Sequence, residues 1–217
     1  MSYRLTLAEA ESYLRKAARA SGLDWGIAEE AGKAARWLAA FQLPGPETVL
    51  AHLQNLRGQD YRQYMPDCSL EPWQAGGGLL CPIITGAALA DRSAQMLDGH
   101  AFRLGKTAYP LLLAATLGQA ARHHDTAFVT CWAGIRLTCF GHGLQILGPR
   151  DDLLLAEVDH VCCCEDHTAR AELQASTLAY EIDEDVFRQI DALAFETYAP
   201  ATEESRAGAG AGLTDND

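Results

Sequence analysis

Positive charge is scarce in this sequence and nowhere clustered. It has 17 Lys and Arg against 29 Asp and Glu, which gives a formal net charge of −12. An acidic surface repels phosphate backbones and anionic lipid headgroups. We therefore expect neither nucleic acid nor a membrane surface as a partner.

Long apolar runs are also missing. No uninterrupted apolar stretch approaches the roughly 20 residues that span a bilayer, and residues 1–6 contain no apolar signal core. A cytoplasmic protein is expected. The seven cysteines are odd in number and cluster in the second half, which favours reduced thiols over a disulfide framework.

The common cofactor motifs are absent too. There is no dinucleotide G-x-G-x-x-G in a strand–helix context, no phosphate loop, no G-x-S-x-G elbow and no H-E-x-x-H. The triplet at residues 76–78 lacks the Lys and Ser/Thr that a phosphate loop needs. We expect no cofactor.

What is present is the composition of a folded domain, with 48% hydrophobic residues among 217. We expect a single domain over 1–200, with a helical section at about 1–58 and a mixed and sheet section at about 79–200. Residues 201–217 form a Gly/Ala-rich acidic tail.

Helical patterns occupy the first quarter. Thr6 and Glu9 form a capping box, and helical spacing of apolar residues follows until Gly22. A second helix is predicted from about residue 25 to 41, and a third opens at Pro46. A short apolar run at 79–84 leads into a predicted helix at 87–97, and Pro110 opens another helix.

Strand-forming residues dominate after residue 127. Short runs at 128–132, 135–140 and 144–147 are separated by glycine-containing turns, which predicts an antiparallel meander. We expect it to continue through 153–163 and 173–182, before Asp183 caps a last helix. The whole pattern predicts an α+β fold, with helices packed on a mostly antiparallel sheet and a C-terminal helix and tail.

A line of small residues runs along the second helix. Ala28 and Gly32 belong to it and let another backbone approach closely. Together with Arg206 and Asp215 of the tail, they are candidate interface residues toward a second copy of the chain or a partner enzyme.

The densest group of reactive side chains lies at residues 159–167, which contain three adjacent cysteines. In a strand, Cys162 and Cys164 share a side with His160, so these three are the candidate metal ligands, with Cys139 or His142 as a fourth. Buried thiols that fill a sheet interior are the favoured interpretation, because Cys is among the most buried residue types.

Four residues are candidates for a small-molecule pocket. Glu30 lies at the border of the apolar stripe near Trp37, and His142 occupies a hairpin turn, so Glu30 and His142 are the catalytic candidates. Trp37 and Arg136 are the binding candidates, since a guanidinium suits a carboxylate. The favoured alternative for Glu30 is an ion pair with Lys33 or Arg36, or a capping interaction with a loop.

The segment W-G-I-A-E-E-A-G-K-A-A-R-W-L at residues 25–38 resembles the opening signature of an uncharacterised bacterial family, a domain of unknown function. The Leu43-Pro44-Gly45 break and the Gly/Ala-rich ending are similar as well. The resemblance implies a bacterial, cytoplasmic protein and supplies no catalytic residues.

These observations favour a cytosolic small-molecule enzyme or binding protein that acts on a small anionic metabolite. The first alternative is a non-catalytic accessory or assembly subunit of a metabolic enzyme. The second alternative is a thiol-based metal or redox protein.

Overall fold

A computed structural model describes residues 2–167 and 176–197. In chain order, the helices of this part are α1 Leu7–Ala20, α2 Trp25–Ala40, α3 Gly45–Leu56, α4 Pro82–Ala90, α5 Ser93–Leu97, α6 Leu113–His124 and α7 Glu184–Phe195. Its strands are β1 Ser2–Thr6, β2 Pro66–Asp67, β3 Gln74–Ala75, β4 Phe102–Leu104, β5 Thr107–Ala108, β6 Ala127–Trp132, β7 Ile135–Phe140, β8 Gly143–Leu147, β9 Glu157–Val158, β10 Val161–Glu165 and β11 Ala179–Asp183. The α+β prediction is confirmed.

The main sheet has five antiparallel strands in the order β4-β10-β6-β7-β8. Strands β6, β7 and β8 form the predicted meander. The prediction of one further strand over 153–163 is wrong, because the chain makes a 3-10 turn at Arg150–Leu154 and then places β10 beside β6. Pro149 precedes this turn and has no N–H to extend the ladder.

Helix α6 covers one face of this sheet. The Cys139 thiol of β7 donates to the Ala114 carbonyl of α6 at 3.2 Å. Alternation along the strands places Phe128, Cys139 and Cys163 on this inner face, where all three are fully buried. The opposite, outer face contains Cys131, Cys162 and Cys164, which are only half-buried.

The helical layer packs outside α6, and α2 is at its centre. The capping box that starts α1 is confirmed, since Thr6 Oγ1 accepts from the Glu9 amide and Glu9 Oε2 accepts from the Thr6 amide. A Cβ on Gly32 of α2 would lie 2.6 Å from the Glu11 carbonyl oxygen of α1. The backbones of α1 and α2 therefore approach each other closely.

This close approach corrects the predicted role of the small-residue line. Ala28 has no exposed surface, and Gly32 is buried against α1. The line packs inside the chain, so neither residue offers a surface to a second chain. The other two candidate interface residues, Arg206 and Asp215, lie outside the described residues.

A small sheet joins the two ends of the described chain. Strand β1, which the sequence pattern did not reveal, pairs antiparallel with β11. Asp183 caps α7 as predicted, accepting from the amides of Asp185 and Val186. The Phe187 ring of α7 stacks on Tyr3 with ring centroids 4.2 Å apart. In the described ranges, no helix combines the length and apolar character needed to cross a membrane.

Candidate functional site

An open cleft of about 520 Å³ lies between α2, α6 and the β7–β8 turn. We call it the cationic cleft. Its lining residues come from α1, α2, α6, the β7–β8 turn and the segment before β11: Leu7, Glu11, Lys33, Arg36, Trp37, Ala40, Phe41, Gly118, Gln119, Arg122, Gly141, His142, Ser176, Thr177 and Leu178.

An aromatic side chain forms the floor of the cleft. The Trp37 indole of α2 lies against Gly118 of α6, where an added Cβ would be 2.3 Å from Trp37 Cζ2. Only glycine leaves room for the ring at this helix crossing. Trp37 also contacts Phe41 one turn later, with ring centroids 4.7 Å apart. The floor is therefore fixed and apolar.

Three cationic side chains and one carboxylate surround this floor. Arg36 Nη1 is 2.7 Å from Glu11 Oε2, which anchors α2 to α1 at the cleft rim. Lys33 Nζ is 2.7 Å from Glu30 Oε1, and this hydrogen bond raises the pKa of the Lys33 ammonium. Among the residues that the structure describes, Arg122 has neither an ion pair nor a side-chain hydrogen bond.

The position of Arg122 is set by the turn beside it. A Cβ on Gly141 would lie 3.2 Å from Arg122 Cα, so the β7–β8 turn packs directly on the last turn of α6. His142, the next residue in the turn, is exposed and lines the same cleft. Both side chains therefore border one space above Trp37.

The cleft has the chemistry of an anion site. Its lining contains more positive than negative side chains, although the protein has a net charge of −12. Guanidinium and ammonium groups bind carboxylate and phosphate oxygens through charge-assisted hydrogen bonds. An indole floor favours a ligand with an apolar body.

Two of the four predicted pocket residues meet in the cleft. Trp37 and His142 both line it. Glu30 does not: it lies in a neighbouring groove of about 390 Å³, where Ile27 and Asp91 are also lining residues. Its carboxylate is paired with Lys33, which agrees with the alternative interpretation of this residue.

Arg136 lies outside the cleft and does not have its predicted role in binding there. It lies on the outer face of the sheet, opposite α6, and its Nη2 is 2.8 Å from Asp166 Oδ2. The same carboxylate oxygen accepts from the Thr138 hydroxyl at 2.7 Å. Since the Asp166 side chain is only 2% exposed, Arg136 compensates a buried charge and does not line the cleft.

The three candidate metal ligands do not form a group. His160 is exposed and precedes β10, while Cys162 and Cys164 are half-buried within it. Cys139, the possible fourth ligand, is on the inner face. Across residues 2–167 and 176–197, no three His, Cys, Asp or Glu side chains are arranged to hold a metal ion. Burial raises the pKa of the Cys164 thiol.

Residues 5–82 match the model of a family described as "Protein of unknown function (DUF3726)". This match confirms the resemblance to a family of unknown function. No curated protein and no solved structure matches the chain. The matched segment supplies Trp37, Lys33 and Arg36 of the cleft, whereas Arg122 and His142 come from the rest of the chain.

Sequence reasoning missed Gly118, Gln119 and Arg122. The helix that contains them was predicted from Pro110, but nothing local indicates that its Gly118 faces Trp37. A glycine in the middle of a predicted helix costs stability relative to alanine. A glycine retained at position 118 despite this cost was a signal that another side chain packs closely against it.

Proposed function

We propose that the protein is a cytoplasmic small-molecule enzyme or binding protein that acts on a small anionic molecule in the cationic cleft. The observation that carries the proposal is the accumulation of Lys33, Arg36 and Arg122 around an aromatic floor in an otherwise acidic chain. Structural ion pairs explain two of these cations. They do not explain Arg122.

Arg122 is the proposed anchor of the anionic group. Its guanidinium has no partner among the described residues, so it can bind a ligand without first breaking an ion pair. Lys33 and Arg36 keep their charges beside Glu30 and Glu11 and contribute a positive potential. The ligand that fits carries one carboxylate or phosphate and an apolar body that covers Trp37.

His142 is the proposed proton-transfer group. It borders the same space as Arg122 and is exposed, so its imidazole can exchange a proton with a bound ligand and with water. Glu30 is not proposed for this role, because its carboxylate is engaged with Lys33 outside the cleft.

Isothermal titration calorimetry at low ionic strength tests the proposal. The ligands are benzoate, an anion with a flat apolar body, and benzamide, its uncharged counterpart. We expect benzoate to bind and benzamide to bind at least about 10-fold more weakly, since hydrogen bonds to charged groups contribute roughly 1.5–3 kcal/mol. Added salt should weaken benzoate binding.

The variant Arg122→Gln should weaken benzoate binding about 10-fold or more. Its matched control is Arg150→Gln, which removes the same charge from an exposed arginine outside the cleft. Equal effects of the two variants would show that only net charge matters and would overturn the proposal. The accessory-subunit and thiol-based alternatives stay predictions.

A further inference from the structure

A thiol–imidazole pair is buried at the junction of α3 and α4. His52 Nε2 of α3 lies 3.1 Å from Sγ of Cys81, the residue that precedes α4. His52 is 3% exposed and Cys81 has no exposed surface. Neither side chain belongs to the cationic cleft.

Both partners are neutral around pH 7. Burial lowers the pKa of His52 to about 3. Burial also raises the pKa of the Cys81 thiol to about 11, against the opposing effect of the Ile84 and Ile83 amides. The thiol is therefore not an activated nucleophile. The pair has one hydrogen bond to make, and one proton lies between sulfur and nitrogen.

The start of α4 decides which atom carries that proton. The amides of Ile83 and Ile84 and the positive end of the helix dipole favour electron density on the sulfur. We therefore assign the sulfur as the donor of this hydrogen bond, with the thiol proton directed to His52 Nε2. A neutral imidazole that accepts at Nε2 carries its own proton on Nδ1.

The Nδ1 atom of His52 has no partner among the described residues. The fully enclosed side-chain atoms without a partner in this part of the chain are Glu47 Oε2 and Thr85 Oγ1. Nδ1 is not one of them, so it retains accessible surface. His52 lines a cavity of about 340 Å³, and we assign the free nitrogen to that cavity.

A second donor borders the same cavity. Tyr109 Oη accepts a hydrogen bond from Asn55 Nδ2 at 3.0 Å, and its own O–H has no acceptor among the described residues. The ring centroids of Tyr109 and His52 are 5.7 Å apart. Tyr109 has a positive φ of 38°, a strained conformation for a non-glycine residue that is typical of functional positions.

The rest of the cavity wall is mostly apolar. Its remaining lining residues are Asn55, Leu56, Tyr64, Leu79, Leu80, Ala108, Ala156 and Glu157. The carboxylate of Glu157 is 2.8 Å from Lys106 Nζ and is thereby compensated. The cavity thus offers two neutral donors in apolar surroundings, without an uncompensated charge.

We propose that this cavity, the His52 cavity, is a second ligand site that binds an uncharged, largely apolar carbonyl compound. The carbonyl oxygen accepts hydrogen bonds from His52 Nδ1–H and Tyr109 O–H, one for each lone pair. Cys81 is a positioning residue, because its thiol fixes the imidazole tautomer. The ligand differs from that of the cationic cleft, since nothing here neutralises an anion.

The first test is ¹⁵N–¹H NMR of the full chain at pH 7, which reports which ring nitrogen of His52 carries the proton. We expect the proton on Nδ1. A proton on Nε2 would make Nδ1 an acceptor and would overturn the proposal.

The second test titrates the protein with cyclohexanone and with methylenecyclohexane, which has a similar shape and no oxygen. Cyclohexanone should shift the His52 Nδ1 resonance and bind about 3- to 10-fold more tightly than the hydrocarbon. Equal affinities, or binding without a His52 shift, would contradict the carbonyl site.

The third test uses Tyr109→Phe, which removes one donor and keeps the ring. It should weaken cyclohexanone binding about 3- to 10-fold and leave methylenecyclohexane unaffected. Tyr61→Phe is the matched control, because the Tyr61 hydroxyl bonds Asp24 outside the cavity. Unchanged cyclohexanone affinity in Tyr109→Phe would overturn the role of Tyr109 and with it the two-donor site.

Discussion

The cationic cleft and the His52 cavity differ in how far their polar groups are exposed to water. The cleft is open, and its charged side chains stay partly hydrated: the Arg36 and Lys33 side chains are 53% and 40% exposed. The cavity wall presents a buried imidazole kept neutral by burial. A charged group at the surface stays hydrated, whereas a charged group in the interior loses its hydration at a large free-energy penalty. We therefore expect each site to recognise only the ligand class that its solvation permits.

Acidification should affect the cavity far more than the cleft. Because the folded pKa of His52 is about 3 and its ordinary value is 6.5, the unfolded chain takes up the proton first. The contribution of neutral His52 to the free energy of unfolding is complete above pH 6.5 and is lost as the pH falls toward 3. We expect a loss of up to about 1.4 kcal/mol per pH unit, measured by urea unfolding.

The variant His52→Gln should lose much less stability than the wild type as the pH falls. The variant His142→Gln, a change at an exposed histidine of the cleft, should lose as much as the wild type. An unchanged loss in His52→Gln would mean that the buried imidazole is not the source of the acid sensitivity.

Gly118→Ala should disturb the cleft and spare the cavity. The new methyl group would overlap the Trp37 indole, with a closest atom at 2.3 Å. We expect a loss near the upper end of the roughly 1–3 kcal/mol that overpacking costs, together with weaker benzoate binding. Gly26→Ala is the control, since its Cβ would meet no atom within 4 Å. Thermal unfolding and calorimetry measure both, and cyclohexanone binding should survive.

Arg136→Gln separates a structural arginine from a ligand-binding one. Its partner Asp166 has a 2% exposed side chain, so losing the cation should lower the free energy of unfolding by about 1–3 kcal/mol. Benzoate affinity should not change, because Arg136 is on the far side of the sheet from α6. A fall in benzoate affinity comparable to that of Arg122→Gln would show that Arg136 does contribute to ligand binding.

Glu30→Gln should have the smallest effect. Removing the carboxylate 2.7 Å from Lys33 leaves the ammonium more available to an anion in the cleft. We expect benzoate to bind about 2- to 3-fold more tightly, in keeping with the few tenths of a kcal/mol of a surface pair. Stability should stay within about 0.5 kcal/mol. Weaker binding would indicate that Glu30 itself supports the ligand.

Local sequence signals predicted the parts of the molecule that local physics determines. The capping box at Thr6 and Glu9, the cap at Asp183 and the meander at 128–147 are confirmed because each depends on neighbours in sequence. Trp37 and His142 both line a cleft, while their roles in binding and catalysis stay predictions. A border position on a helix and a glycine-flanked turn are features that a single segment reveals.

The rest depends on long-range packing. Glu30 was assigned to the pocket from its border position on a helix, and the structure instead shows the ion pair with Lys33 that was the favoured alternative. Arg136 was assigned from its place in a strand, and strand alternation does not reveal that Asp166 is its partner. His52 and Cys81 are 29 residues apart. Their one local signal was Pro82, which opens α4 and marks Cys81 as the residue at a helix start.

The pairing of β1 with β11 has a consequence for how the chain is made. Leu5 is fully buried beside its β-partner Tyr180, and Tyr13 of α1 contacts the Phe187 ring of α7. A ribosome releases residues in order, so the helices of segment 5–82 emerge long before these covering elements exist. The apolar faces of the nascent helices should therefore stay exposed until residue 187 has left the exit tunnel. We expect chaperones to bind these faces during that interval.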